Sequence, residues 1–164
     1  MKKIVLMVML MCVLCTSCKG TDILKSDHTM TPHEKIYYLG NEIIEGYKNK
    51  DKDRIKAVFT ANQIEYYGEY IEERIEESFE FIDGEIIDYK EIYGSFGGGE
   101  VREGEWIYRI AGGSITEIRT DSGKEYRIQY KGYMIDKNDS NNVGISMFEI
   151  IQTKPEDNKS FEIK

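Results

Sequence analysis

Few residues in this chain have types and spacing suited to chemistry. Three cysteines, Cys12, Cys15 and Cys18, lie within the first 18 of 164 residues, and none follows. A thiol at the end of an apolar segment can carry an acyl chain, whereas cysteines confined to one end give the remainder no disulfide framework. The two histidines, His28 and His33, flank Pro32. The proline keeps them off one turn of a regular helix, and no nearby cysteine completes a metal set, so both read as solvated residues. Glu69, Glu72, Glu73, Glu76, Glu77 and Glu80 fall on one face of a predicted helix. Ca²⁺ needs carboxylates converging from a loop, and a convex helix face spreads them apart, so this too reads as a solvated face. Gly97-Gly98-Gly99 could cradle a phosphate, but no Lys-Ser/Thr follows and no helix begins there, which leaves a hairpin connection. Asp88 is the one aspartate within the first predicted strand, and alternation turns it away from Tyr89, a poor position for a general base. Neither a cofactor nor a metal is expected, and the reading is of a non-enzyme.

Aromatic residues are the richer signal: twelve tyrosines and one tryptophan. Tyr pairs an apolar ring with a polar tip and suits a core, a pocket or a binding face. Trp106, Tyr108 and Ile110 recur at strand spacing, as do Tyr126, Ile128 and Tyr130. If the sheet encloses a cavity, Tyr89, Trp106, Tyr108, Tyr126, Ile128 and Tyr130 are its expected lining; if not, they fill the core.

The elements that position these side chains follow from periodicity. Thr31-Pro32-His33-Glu34 is a helix start, with Thr31 as cap, proline at the first position and Glu34 closing a capping box. Ile36, Leu39, Ile43 and Tyr47 continue it to about residue 48. Asp51 caps a short second helix carrying Ile55, Val58 and Phe59. Asn62 opens a third, whose apolar face runs Ile64, Tyr67, Ile71, Ile75, Phe79 and Ile82. Asp83-Gly84 stops it, and the period changes to about two. Four strands are predicted, over about 85–94, 102–120, 124–136 and 143–153. Gly112-Gly113 reads as a bulge within the second, with a further hairpin as the alternative. Turns fall at 120–123 and 136–142, and 155–164 reads as a polar tail.

The amino terminus sets the location. Lys2 and Lys3 precede an uncharged apolar run from Ile4 to Leu14, within the range of a secretory signal and too short to span a bilayer. Thr16-Ser17-Cys18 resembles the end of the lipobox of bacterial lipoproteins, with Cys15 where leucine is usual. That resemblance implies a signal peptide over 1–17, acyl chains such as palmitate on Cys18, a tether over 18–31 and one domain over 32–154. The protein would then be lipid-anchored at the extracytoplasmic face of the bacterial cell membrane.

Cutting before Cys18 leaves 147 residues, enough for one hydrophobic core. The formal charge is −8 with Lys2 and Lys3 and −10 without them, which argues against nucleic acid or anionic lipid as a bulk electrostatic partner.

Helices first and antiparallel strands after is an α+β order. A long bulged sheet curled around amphipathic helices is similar to the cystatin-like, NTF2-like cone. Three stretches carry a closer resemblance: Asn41–Glu45 with Asn49–Asp53; Phe79–Ile86; and Thr120–Ile128 with Asn142–Ile145. Together they resemble an uncharacterised family of Gram-positive lipoproteins, a domain of unknown function, over about residues 33–152. The family implies the anchor and the cone and brings no catalytic residue. The expected function is a surface-anchored, non-enzymatic domain that binds a small apolar ligand or a protein. An immunity-type protein that neutralises an exported toxin is the main alternative, and an NTF2-like enzyme is the remaining one.

Overall fold

A computed structural model describes residues 30–154 and 159–164. The predicted signal peptide, the acyl-bearing Cys18, most of the tether and His28 lie outside the described residues.

Three helices precede a six-stranded antiparallel sheet: α1 (Pro32–Asn49), α2 (Lys52–Lys56), α3 (Ala61–Phe81), β1 (Ile86–Asp88), β2 (Glu91–Arg102), β3 (Glu105–Thr120), β4 (Glu125–Asp136), β5 (Gly144–Lys154) and β6 (Ser160–Ile163). Local chemistry sets the helix starts. Thr31 Oγ1 accepts from the Glu34 amide while the Glu34 carboxylate accepts from the Thr31 amide, closing the capping box. Asp51 caps α2 by accepting from the Arg54 amide at 2.9 Å. The third helix departs from expectation: Thr60, not Asn62, is its cap, accepting from the Gln63 amide at 3.1 Å.

The sheet is an open meander. β3, β4, β5 and β6 are successive neighbours, and β1 and β2 both pair along the free edge of β3. About four strands in a cone were expected. One extra strand arises because the first predicted strand breaks at Tyr89-Lys90 into β1 and β2. Another is β6, which forms within the presumed polar tail: Phe148 pairs with Ile163 and Ile150 with Phe161, and Ile163 is fully buried.

The Gly97–Gly99 run is not a hairpin connection. It lies inside β2, where Phe96 pairs with Ala111 and Gly99 with Arg109, so Gly97 and Gly98 oppose Ile110 alone as a bulge. The chain reverses instead at Glu103-Gly104, both at positive φ (54° and 84°), a two-residue turn between paired Arg102 and Glu105. β3 is one long strand, as expected, but its glycines are not the bulge. Gly112 and Gly113 run in plain register against Ser95 and Gly94 on one side and Lys131 and Tyr130 on the other. A bulge of β3 against β4 lies instead at Thr116-Glu117, with Glu117 at φ 48°.

The helices cover one face of the sheet. Ile36, Leu39, Ile43 and Tyr47 of α1, Ile55 of α2, and Ile71 and Ile75 of α3 meet Ala111, Ile115, Ile128, Tyr130 and Phe148 of the strands. Burying such side chains contributes about 1.5–3 kcal/mol each against solvent exposure. Tyr47 stacks on Phe148 with rings 6.0 Å apart, and its hydroxyl shares a 2.6 Å hydrogen bond with Ser78.

Candidate functional site

The expected pocket residues do not form one lining. Tyr126, Ile128 and Tyr130 point from β4 into the packed layer, at 0 %, 0 % and 2 % exposure. Their polar tips are satisfied inside the fold. The Asp83 amide donates to the Tyr126 hydroxyl at 3.0 Å, and the Tyr130 hydroxyl donates to the Ile36 carbonyl at 2.7 Å. Burial pushes the Tyr47 and Tyr130 phenols above the ordinary tyrosine range, so both stay protonated donors. Tyr89 is half-buried at the edge of this layer, with the Lys48 ammonium 5.2 Å from its ring centroid.

Trp106 and Tyr108 were expected to share a face. The register of β2 and β3 separates them: Val101 pairs with Trp106 and Glu100 with Tyr108, so Ile107 is the extra residue of a bulge. Trp106 accordingly lies against Arg109, whose guanidinium is 4.3 Å from the indole centroid. Tyr108 packs edge-on against Tyr133 at 6.2 Å.

The groups considered for acid–base or metal chemistry are engaged elsewhere. Asp88 makes a two-point ion pair with Arg119 at 2.7 and 2.8 Å on an exposed edge. His33 packs its ring on Tyr37 and Phe96, 4.7 and 6.1 Å away. The glutamate face of α3 is partly neutralised: Lys56 pairs with Glu72, Lys52 bridges Glu72 and Glu76, and Arg74 pairs with Glu77. No cluster of three His, Cys, Asp or Glu side chains that could hold a metal occurs among the described residues.

A groove of about 220 Å³ does occur, and the sequence did not point to it. It lies at the start of α3, against the ends of β4 and β5. Tyr66, Tyr67 and Tyr133 give it aromatic walls, Asn62, Gln63 and Asn142 supply amides, and Thr60 and Ser146 complete it. Local structure explains how these residues meet. The α3 backbone leaves helical geometry at Tyr67 (φ −132°, ψ 19°), just before Gly68. The strand-like hydrogen bonds Ile145 N–H to Val58 O (2.9 Å) and Thr60 N–H to Ile145 O (3.2 Å) tie the helix start to β5.

The amides are held from behind. Asn62 Nδ2 donates to Asp139 Oδ2 at 2.9 Å and to Asn142 Oδ1 at 2.7 Å, and Asn142 Nδ2 donates to Asp136 Oδ2 at 3.0 Å. Gln63 Nε2 donates to the Ser146 carbonyl at 3.0 Å. The phenols of Tyr66, Tyr67 and Tyr133, by contrast, have no hydrogen-bond partner among the described residues. Tyr66 and Tyr67 are 74 % and 59 % exposed, and Tyr70, one turn further along α3, is 48 % exposed. Fixed amides beside exposed phenol rings are groups that can engage a ligand by hydrogen bonds and stacking.

Fold and groove together define an α+β domain with three helices laid on one face of an antiparallel meander. The family profile described as "Domain of unknown function (DUF5104)" matches residues 42–153, more than half of the chain, and the protein belongs to that family. No curated protein matches the chain. Among the described residues, no helix is long and apolar enough to cross a membrane.

Proposed function

We propose that this protein is a non-enzymatic binding domain held by acyl chains on Cys18 at the extracytoplasmic face of the bacterial cell membrane. The observation that carries the binding role is the groove at the start of α3, lined by three phenols without a hydrogen-bond partner among the described residues and by amides fixed through their own hydrogen bonds. The anchor rests on the Lys2-Lys3 start, the apolar run and the Thr16-Ser17-Cys18 ending. The layering of helices on a long bulged sheet supports kinship with cystatin-like, NTF2-like folds. The binding face lies outside the interior that such folds often leave open, because here Tyr126, Ile128 and Tyr130 occupy that interior.

The anchor is tested by fractionation: Cys18→Ala is expected to move the protein out of the membrane fraction or stall its maturation. The binding face is tested by incubating the purified protein with solubilised cell-envelope material. Retention of that material is expected to be lost in Tyr66→Ala/Tyr67→Ala. Retention that survives the double substitution would overturn this reading, and capture of an exported toxin through another face would favour an immunity role.

A further inference from the structure

We infer that the groove takes a neutral carbohydrate, an oligosaccharide of which one unit enters the groove while the next lies along the tyrosines of α3. This inference rests on the binding role proposed above and adds the class of ligand.

The charge of the lining carries the argument. About a third of the chain is charged (32 %), yet no Asp, Glu, Lys or Arg side chain lines the groove. Asp136 and Asp139 accept from the lining amides of Asn142 and Asn62 and do not themselves line the groove. An anionic ligand would find no cation there and would meet a protein of net charge −8. A compact cation would find no carboxylate in the lining to pair with; a quaternary ammonium could still lie on the rings, and the choline probe below separates that case. The uncharged amides and hydroxyls that share the lining with the rings favour a neutral molecule with hydroxyls for these polar groups and an apolar C–H face for the rings. A pyranose offers both on one ring: axial hydrogens make an apolar face, and equatorial hydroxyls ring its edge.

Size and continuation point the same way. At about 220 Å³ the groove is smaller than the ~300–1,000 Å³ of enclosing drug-type pockets, and suits one ring rather than a whole ligand. Tyr70 is the next tyrosine of α3 after the break at Tyr67, on the helix that resumes beyond it. With Tyr66, Tyr67 and the half-exposed Tyr70, α3 offers solvent three tyrosine rings within five residues, one more than the groove itself uses. A ligand built of repeating stackable units uses such a strip, and a single small molecule does not.

The test is saturation-transfer NMR on the purified full-length lipoprotein in micelles. Tetra-N-acetylchitotetraose and maltotetraose serve as neutral probes, choline as the cationic probe and a heparin tetrasaccharide as the anionic one. A neutral sugar is expected to give transfer, with affinity falling at least ~10-fold in Tyr67→Ala and unchanged in Tyr93→Ala, an exposed tyrosine on another element. Thermal melts should match wild type in both variants, since neither ring is buried. Transfer only to choline or only to heparin, lost in Tyr67→Ala, would overturn the carbohydrate class and leave the groove as a binding site. No transfer to either neutral sugar, or transfer indifferent to Tyr67→Ala, would also overturn it. Envelope material that still depends on Tyr66 and Tyr67 would then show that the ligand class alone had failed.

Discussion

Gly113→Ala is the most informative single change in the fold. A Cβ at Gly113 would come within 2.2 Å of the Tyr130 hydroxyl oxygen, 2.3 Å of Cζ and 2.7 Å of Cε2. Real contacts of this kind do not fall below about 3 Å. The Tyr130 ring has little room to retreat, because a Cβ at Gly40 of α1 would already be 2.6 Å from the same hydroxyl. Two glycines on different elements therefore form the slot that holds one tyrosine, whose hydroxyl donates to the Ile36 carbonyl. Overpacking typically costs about 1–3 kcal/mol. Moving the ring would also lose a buried hydrogen bond, about 1 kcal/mol. The reduced freedom of the unfolded chain offsets about 0.4–1 kcal/mol of this. The expected net loss is about 2–3 kcal/mol, read as a fall in the urea midpoint at unchanged m, or about 4–12 °C in Tm for a chain of this size. The control is a double-mutant cycle with Tyr130→Leu, which removes the ring atoms that clash. In that background Gly113→Ala should cost about 1 kcal/mol less than it does alone. A neutral single substitution, or strictly additive effects, would refute the slot.

Three further outcomes are expected. Deleting residues 159–164 removes the fully buried Ile163, the Phe161 ring that lies 3.9 Å from the Arg74 guanidinium, and the Glu162 carbonyl that Arg74 donates to; it should lower stability by about 3 kcal/mol in urea titration, whereas a polar tail would cost nothing. Tyr126→Phe leaves the Asp83 amide without its acceptor and should cost about 1–2 kcal/mol, with faster hydrogen exchange at that amide; unchanged exchange would contradict the assigned bond. Glu72 is hydrogen-bonded to Lys56 and held below the usual glutamate range, so its contribution is present above the unfolded-state pKa and is lost as pH falls through the folded one; carboxyl NMR should show this depressed titration returning toward ordinary values in Lys56→Met.

Where the determinants are local, the sequence was legible. The Thr31–Glu34 capping box, the Asp51 cap, the stop at Asp83-Gly84 and the turn at 120–123 each depend on a few adjacent residues, and each appears as read. What depended on pairing partners was not legible. Glu103-Gly104 lacks the Asn-Gly or Asp-Gly signature of a tight hairpin, so the more conspicuous Gly97–Gly99 attracted the turn. Only register shows that Gly97 and Gly98 form a bulge, and that an extra residue at Ile107 separates Trp106 from Tyr108. Likewise β6 is four residues, Ser160–Ile163, too short to show alternation against a charged background.

The groove was missed for a reason that bears on its use. Tyr67 fits the apolar phase of α3 between Ile64 and Ile71, and an unbroken helix would bury it with them. Ile71 is 1 % exposed and Ile64 packs against the core, yet Tyr67 stands open because the backbone leaves helical geometry at that residue. Uninterrupted, the helix would spend Tyr67 on the core, where a phenol needs an internal acceptor of the kind Tyr130 finds at Ile36. Broken, it leaves Tyr66 and Tyr67 beside Tyr133 of β4 around one hollow, with no hydrogen-bond partner for the three hydroxyls among the described residues. A side chain that its own periodicity assigns to the interior, and that the backbone turns outward, departs from local consistency in the way functional positions do. That departure, rather than the count of tyrosines, distinguishes the start of α3 from the aromatic core beneath it.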